Sequence, residues 1–191
     1  MATDGTGVTA LVTAQGCPLD CRYCINQPAK TFVCGKELTP DALYDRVKKD
    51  GLYYSATGGG VTFGGGEPLL HADFIAEFRG IIPAEWHIYA ETSLYVPADR
   101  VRTAARAVDH FFVDVKDTDP SIYRAYTGGD VNTVLDNLKL LLSLTDAGRI
   151  TVRLPLIPGF NTDGDRKRSA AYLESIGVTD LDLFDYKIPE N

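Results

Sequence analysis

The sequence predicts an α/β protein built around a parallel β-sheet. Six short runs of β-branched and aromatic residues alternate with five segments of helical pattern along the 191 residues. Strands that alternate with helices pair in parallel, because each crossover helix returns the chain to the same end of the sheet. Such a sheet is either open and doubly wound or curled like part of a TIM barrel. In both architectures functional groups collect at the carboxyl ends of the strands.

The elements are delimited by their patterns and by the turn residues between them. The predicted strands are Val8–Gln15, Val61–Gly65, His87–Thr92, Phe111–Lys116, Ile150–Ile157 and Leu181–Lys187. The predicted helices are Pro40–Lys49, Ala72–Gly80, Ala98–Ala107, Val131–Leu144 and Asp165–Ile176. Thr39 before Pro40 is a typical N-cap followed by proline at the first helical position. The apolar residues of Val131–Leu144 recur at helical spacing and predict a core-facing stripe.

Length and composition predict one domain, residues 1–191. A chain of this length suffices for one substantial core and is short for two. No apolar run is long enough to cross a membrane, and the first residues lack the basic region of a signal peptide, so we expect a cytoplasmic protein without membrane contact. The net charge of −7 argues against non-specific nucleic-acid binding, which depends on a basic surface.

Polar side chains stand where the predicted strands end. They are Glu67 after the second strand, Glu91 and Thr92 at the third, Asp114 and Lys116 at the fourth, Arg153 in the fifth and Lys187 at the sixth. Asp114 and Lys116 alternate within an apolar strand and so point to the same face, either as a structural salt bridge or as ligand contacts. Arg153 lies between two apolar neighbours, and its planar fork suits a carboxylate.

Three cysteines follow the first strand at the spacing C-x3-C-x2-C. Cys17, Cys21 and Cys24 lie in a loop with charged neighbours, which disfavours a role as small core residues. A zinc site usually needs four ligands, and a redox pair at Cys21 and Cys24 would leave Cys17 unexplained. The spacing therefore favours an iron–sulfur cluster whose fourth iron stays open. Cys34 lies too far along the chain for this loop and is predicted to be a spare thiol.

The cysteine segment resembles the signature of the radical S-adenosylmethionine (SAM) superfamily. Cys17, Cys21, Tyr23 and Cys24 match its C-x3-C-x2-C pattern with an aromatic residue before the last cysteine. The resemblance implies that the amine and carboxylate of SAM occupy the open iron of a [4Fe-4S] cluster. It also implies that the reduced cluster cleaves the C5′–S bond of SAM and releases methionine and a 5′-deoxyadenosyl radical.

Further segments resemble one group of this superfamily, the glycyl-radical-enzyme activating enzymes. They are CRYCINQP, with Asn26 retained and Ile25 in place of histidine; GGGVTFGGGEPLL; VDVKDTDPSIYRAYTG; and VRLPLIPGFN. The resemblance covers nearly the whole chain and implies a partial (β/α)6 barrel with parallel strands. The sequence contains no second C-x2-C pair, so the ferredoxin-like insertion of some activating enzymes is absent.

The resemblance also implies roles for individual residues. The SAM-binding set is Tyr23, Asn26, Gly65, Gly66, Glu67, Thr92, Asp114, Lys116, Arg153 and Lys187, the last in place of a family histidine near adenine. Glu91, Thr92 and Asp114 correspond to residues that hold a monovalent cation beside SAM, although the family's Asp-Thr-Asn-Gly reads Glu-Thr-Ser-Leu here. Asp4 begins a segment similar to one that lies near the substrate peptide.

The implied function is that of an anaerobic activase. It would remove hydrogen from one glycine of a partner glycyl radical enzyme, with a flavodoxin or ferredoxin-type protein as the reductant, and would act as a monomer. Two other classes of function stay open: a radical SAM enzyme that acts on a small molecule or a peptide, and a non-catalytic iron–sulfur or zinc-binding module. Formation of 5′-deoxyadenosine separates the enzymes from the module.

Overall fold

A six-stranded parallel sheet forms the centre of the protein. The computed structural model describes residues 5–32 and 36–186. The strands are Thr9–Ala14 (β1), Gly60–Gly65 (β2), His87–Thr92 (β3), His110–Asp114 (β4), Ile150–Leu156 (β5) and Leu181–Asp185 (β6). They lie in the order β1-β2-β3-β4-β5-β6, and each neighbouring pair is parallel. The predicted strands and their parallel pairing are confirmed, and the sheet is open between β1 and β6, as a partial barrel requires.

Helices connect the strands along one face of the sheet. They are Pro40–Val47 (α1), Gly51–Thr57 (α2), Ala72–Arg79 (α3), Ala98–Ala104 (α4), Pro120–Thr127 (α5), Val131–Leu144 (α6) and Asp163–Ser175 (α7). The first predicted helix, Pro40–Lys49, ends too late. The α-helix stops at Val47 and a 3-10 turn follows at Lys48–Asp50. In the described parts of the chain no helix has the length and apolar character needed to cross a membrane.

Two of these helices, α2 and α5, were not predicted. α2 begins with Gly51, a weak helix former, and its first turn has no side-chain cap. The glycine is needed because the Trp86 ring packs there: a β-carbon at residue 51 would lie 2.5 Å from the ring. α5 does carry legible signals, since the Asp119 side chain accepts hydrogen bonds from two backbone N–H groups of its first turn and Gly128 ends it with φ +76°.

The two faces of the sheet differ in character. Alternate strand residues are buried against the helices: Val61, Phe63, Ile88, Ala90, Phe111, Val113, Val152 and Leu154. The residues between them point to the concave face, where a β-carbon on Gly64 would lie 2.9 Å from Glu91 Oε2 and 3.5 Å from Leu11. The charged side chains of Glu91 and Arg153 are directed into the interior of the partial barrel, and the main apolar core lies outside it.

Candidate functional site

A cavity of about 440 Å³ opens at the carboxyl ends of the strands. Its lining includes these residues of the predicted site: Cys17, Cys21, Cys24, Asn26, Gly65, Gly66, Glu67, Glu91, Thr92, Asp114, Lys116 and Arg153. Tyr23 does not line it but lies beside it, with its hydroxyl 3.4 Å from the carbonyl oxygen of Pro158. Asp4, Lys187 and Cys34 lie outside the described residues. Residues far apart in sequence thus meet at one end of the sheet.

The cysteine loop is fixed by backbone hydrogen bonds to α5. The N–H of Asp20 donates to the carbonyl of Thr127 at 2.8 Å, and the N–H of Arg22 donates to the carbonyl of Tyr126 at 3.1 Å. At the start of the loop, the N–H of Cys17 donates to the carbonyl of Lys30 at 3.1 Å. α5, which was not predicted from the sequence, therefore supports the cysteine loop.

The three thiols are reduced, partly exposed and grouped around the cavity. Burial raises the pKa of Cys17, and it raises the pKa of Cys21 to about 11 although Lys116 opposes the shift. Thiols of this kind become thiolates when a metal displaces their protons. Among the described residues no three His, Cys, Asp or Glu side chains converge on a single ion. An iron–sulfur cube binds each thiolate at a different iron, so three soft ligands around one cavity fit a cluster.

Glycines allow the end of β2 to approach its neighbours. Gly65 has φ +94°, in the left-handed region that favours glycine. A β-carbon on Gly66 would lie 2.3 Å from the carbonyl oxygen of Gly16, next to Cys17. The N–H of Glu67 donates to that same carbonyl at 2.8 Å. The glycine segment and the cysteine loop are therefore packed backbone against backbone, which leaves no room for side chains between them.

Glu67 is buried and joins the end of β2 to the end of β3. Its Oε1 accepts from the Thr92 hydroxyl at 2.6 Å and from the N–H of Leu69 at 3.1 Å. Its Oε2 accepts from the hydroxyl and the N–H of Ser93, at 2.6 and 2.8 Å. Burial raises the pKa of Glu67, while these hydrogen bonds act in the opposite direction. Sequence analysis missed Ser93, for which the only signal was its position after Thr92.

The residue after Ser93 has an unusual backbone conformation. Leu94 is fully buried and has φ +56°, which is uncommon for a residue other than glycine. The amide of Asn137, on α6, donates to the carbonyls of Leu94 and Val96 at 2.8 and 2.7 Å. The buried side chain and these two bonds hold the turn that follows β3.

Two ion pairs line the concave side of the cavity. Arg153 Nη2 donates to Glu91 Oε1 at 2.7 Å, and Lys116 Nζ lies 3.4 Å from Asp114 Oδ2. The Arg153 guanidinium also lies 4.6 Å from the centre of the Phe112 ring. Burial, the largest single effect, would lower the pKa of Arg153 and of Lys116, but the charge of Asp114 together with the other acidic groups nearby more than offsets it, and in both residues the pKa is raised. Both cations are therefore charged at neutral pH.

Aromatic side chains close the remaining side of the site. The rings of Tyr23, Tyr126, Phe160 and Tyr186 pack on one another with centroids 5.0 to 6.4 Å apart. The Tyr186 hydroxyl donates to the carbonyl of Tyr23 at 2.8 Å, and the amide of Asn26 donates to the carbonyl of Gly65 at 3.3 Å. Tyr186 lines the cavity but was not predicted, although it directly follows β6.

Comparison with known proteins agrees with this geometry. The sequence pattern of the Radical SAM superfamily matches residues 11–172. The pyruvate formate-lyase 2-activating enzyme of Escherichia coli (strain K12) is 30% identical over 199 residues, which cover 87% of this chain and 67% of that protein. The (2S)-3-sulfopropanediol dehydratase activating enzyme of Klebsiella oxytoca is 37% identical over 131 residues, which cover 68% of this chain and 40% of that protein. The chain thus matches less than half the length of this second relative.

Solved structures share the fold. A domain of the pyruvate-formate lyase-activating enzyme from Bacteroides vulgatus ATCC 8482 superposes with a TM-score of 0.57 at 27% identity, over 70% of this chain and 86% of that one. SuiB of Streptococcus suis bound to S-adenosylmethionine gives a TM-score of 0.70 at 11% identity, over 94% of this chain and 40% of that one. The predicted resemblance to activating enzymes is confirmed by the two activating enzymes of Escherichia coli and Klebsiella oxytoca. With the superfamily pattern matched over most of its length, the chain belongs to the radical SAM superfamily.

Proposed function

We propose that the protein is an activase that binds a [4Fe-4S] cluster and SAM and removes a hydrogen atom from a glycine of a partner glycyl radical enzyme. The observation that carries the proposal is the cavity itself, which three free cysteines share with two partly buried ion pairs. Residues at this cavity would hold a cluster whose chemistry, once it is reduced, would be to supply the electron for cleavage of SAM into methionine and the 5′-deoxyadenosyl radical. Membership of the superfamily supports both cofactors.

The cysteines are the proposed ligands of the cluster. Cys17, Cys21 and Cys24 would bind three irons, and the amine and carboxylate of SAM would bind the fourth. The backbone bonds from the loop to α5, and the cavity that the three thiols share, support this assignment. A volume of about 440 Å³ lies within the range of small-molecule sites, roughly 300–1,000 Å³.

The strand ends are proposed to orient SAM. Arg153 would bind its carboxylate, because the planar guanidinium presents N–H donors in a fork that matches the two oxygens of a carboxylate. Asp114 and Lys116 would contact the ribose and methionyl parts. The backbone of Gly65 and Gly66 would approach the ammonium, which needs acceptors. Glu67 already accepts four hydrogen bonds, so its contribution is to hold the loops that shape this end of the site.

The proposed substrate is a protein loop, and the named relatives support this. They are activating enzymes for pyruvate formate-lyase 2 and for a sulfopropanediol dehydratase. The sheet is open between β1 and β6, and Leu11 on β1 is half exposed at this opening. A loop that enters here would reach the concave face and exclude water from the radical. A flavodoxin or ferredoxin-type protein is the proposed reductant.

Cluster binding is tested by anaerobic reconstitution. We expect four irons and four sulfides per chain in the wild type. Alanine substitution of Cys17, Cys21 or Cys24 should abolish both the cluster and the formation of 5′-deoxyadenosine. Cys34→Ala is the matched control and should lose neither. Iron loss in Cys34→Ala would contradict the three-thiolate assignment.

The glycine substrate is tested by isotope transfer. We expect the protein, SAM, a reductant and the cognate glycyl radical enzyme to produce a glycine-centred doublet in the EPR spectrum. Deuterium at that glycine should appear in 5′-deoxyadenosine. Transfer of label from a small metabolite or a short peptide, with no partner enzyme present, would show that the substrate belongs to another class.

A further inference from the structure

We propose that the Arg153 guanidinium occupies the place that the sequence assigned to a monovalent cation, so that this site needs no bound cation. The inference rests on the proposed SAM site, and it concerns the three residues Glu91, Thr92 and Asp114. Glu91 and Asp114 already face positive charges of the protein, and the Thr92 hydroxyl is engaged within the protein, so the three residues do not fit a mobile cation.

Two of the three predicted ligands are already engaged within the protein. Glu91 Oε1 accepts from Arg153 Nη2 at 2.7 Å, and both side chains are largely buried. The Thr92 hydroxyl donates to Glu67 at 2.6 Å and accepts from the N–H of Leu94 at 2.9 Å. With its proton committed to Glu67 and one lone pair to Leu94, the buried hydroxyl keeps a single lone pair, which is too little to hold a cation by itself.

The third ligand, Asp114, is also balanced by protein charges. Its carboxylate lies 3.4 Å from the ammonium of Lys116, and its backbone is the direct neighbour of Arg153 across the pairing of β4 with β5. Of the three predicted cation ligands, the two carboxylates, Glu91 and Asp114, are thus each paired with a cation of the protein, Arg153 or Lys116. An added sodium or potassium ion would meet a fixed positive charge at each of these two carboxylates.

The length of the Glu91 side chain explains how the pair forms. The residue stands where the resembling segment has aspartate, and its extra methylene carries the carboxylate to Arg153 across the intervening strand, β4. Room for this longer side chain comes from Gly64, where a β-carbon would lie 2.9 Å from Glu91 Oε2. The glycine and the glutamate together make the ion pair possible.

The test compares thermal unfolding in potassium, sodium and choline chloride at equal ionic strength. We expect one midpoint for the wild type in all three salts. Arg153→Gln removes the guanidinium, and Glu91→Asp shortens the carboxylate. Each should create a cation site, with a midpoint about 3–6 °C higher in potassium or sodium than in choline at a tenfold excess of cation over its Kd. Asp73→Asn, which breaks an exposed pair with Arg100, is the control and should show no cation effect.

Calorimetry of SAM binding to the reconstituted wild type provides a second readout. We expect the same Kd in potassium and in choline. A higher midpoint or tighter SAM binding of the wild type in potassium or sodium would overturn the proposal, as would the absence of a cation effect in both variants. An effect in either folded variant, with none in the wild type, supports it. A complete failure to bind SAM would refute the proposed function. The thermal comparison needs no SAM, so it would still show whether the site binds a cation.

Discussion

Replacement of Glu67 by glutamine isolates the contribution of the carboxylate that joins β2 to β3. Each of its oxygens accepts from one backbone N–H, that of Leu69 or that of Ser93. An amide has only one oxygen, so in either orientation one buried N–H faces an N–H group. An unsatisfied buried group costs about 1–3 kcal/mol, and the remaining bonds lose their charge assistance. The variant no longer buries a charge, which offsets part of this loss, and we expect a net destabilisation of about 2–4 kcal/mol.

The measurement is thermal unfolding followed by circular dichroism. For a chain of this size, about 2–4 kcal/mol corresponds to a midpoint about 4–16 °C lower than that of the wild type. Glu77→Gln is the matched control, because Glu77 is exposed on α3 and its replacement should change stability by no more than about 0.5 kcal/mol. If Glu67→Gln shifts the midpoint no further than Glu77→Gln does, the four hydrogen bonds do not support the fold in the way described.

Three further variants test other parts of the site and its support. Asn137→Leu should lower the free energy of unfolding, measured by urea denaturation, by about 2–4 kcal/mol, because two buried carbonyls lose their donor. An unchanged free energy of unfolding would contradict this. Gly66→Ala should lower the iron content after reconstitution, because the added β-carbon collides with the carbonyl of Gly16. Gly58→Asn is the control, since residue 58 has φ +66° and open space around it, and it should leave the iron content unchanged. Equal iron contents in the two variants would refute the packing argument. Thr162→Ala breaks the capping box of α7 and should cost about 1 kcal/mol in urea unfolding, and a neutral result would show that the box adds nothing.

The sheet was predictable from sequence because each strand is short, rich in β-branched or aromatic residues and separated from the next by a crossover. β3 was predicted with both ends correct, since its run of apolar residues ends at polar Glu91 and Thr92. α2 was missed because it begins with Gly51, which has a low helix propensity and is required there by the close packing of Trp86. α5 was missed although its start and stop residues were present and it is as long as α1 and α3, which were predicted.

The site was predictable as far as its residues belong to recognisable motifs at strand ends. Cys17, Cys21 and Cys24 and the residues of the ion pairs were found in this way, and the structure brings them to one cavity. The pairing itself was not predictable, because which carboxylate Arg153 contacts depends on side-chain length and on the register of β4 and β5. Ser93 and Tyr186 carry no pattern of their own, and only the folded chain shows what they contact.

The distance in sequence between the cysteine loop and α5 has a consequence for biosynthesis. Asp20 and Arg22 form their backbone bonds with Thr127 and Tyr126, which leave the ribosome about a hundred residues later. At a translation rate of about 5–20 residues per second, roughly 5–20 s pass between synthesis of the cysteine loop and synthesis of α5, the helix that fixes it. During this interval the thiols are attached to an unfinished chain. The loop can therefore hold its three thiols in place only after residue 127 has been translated.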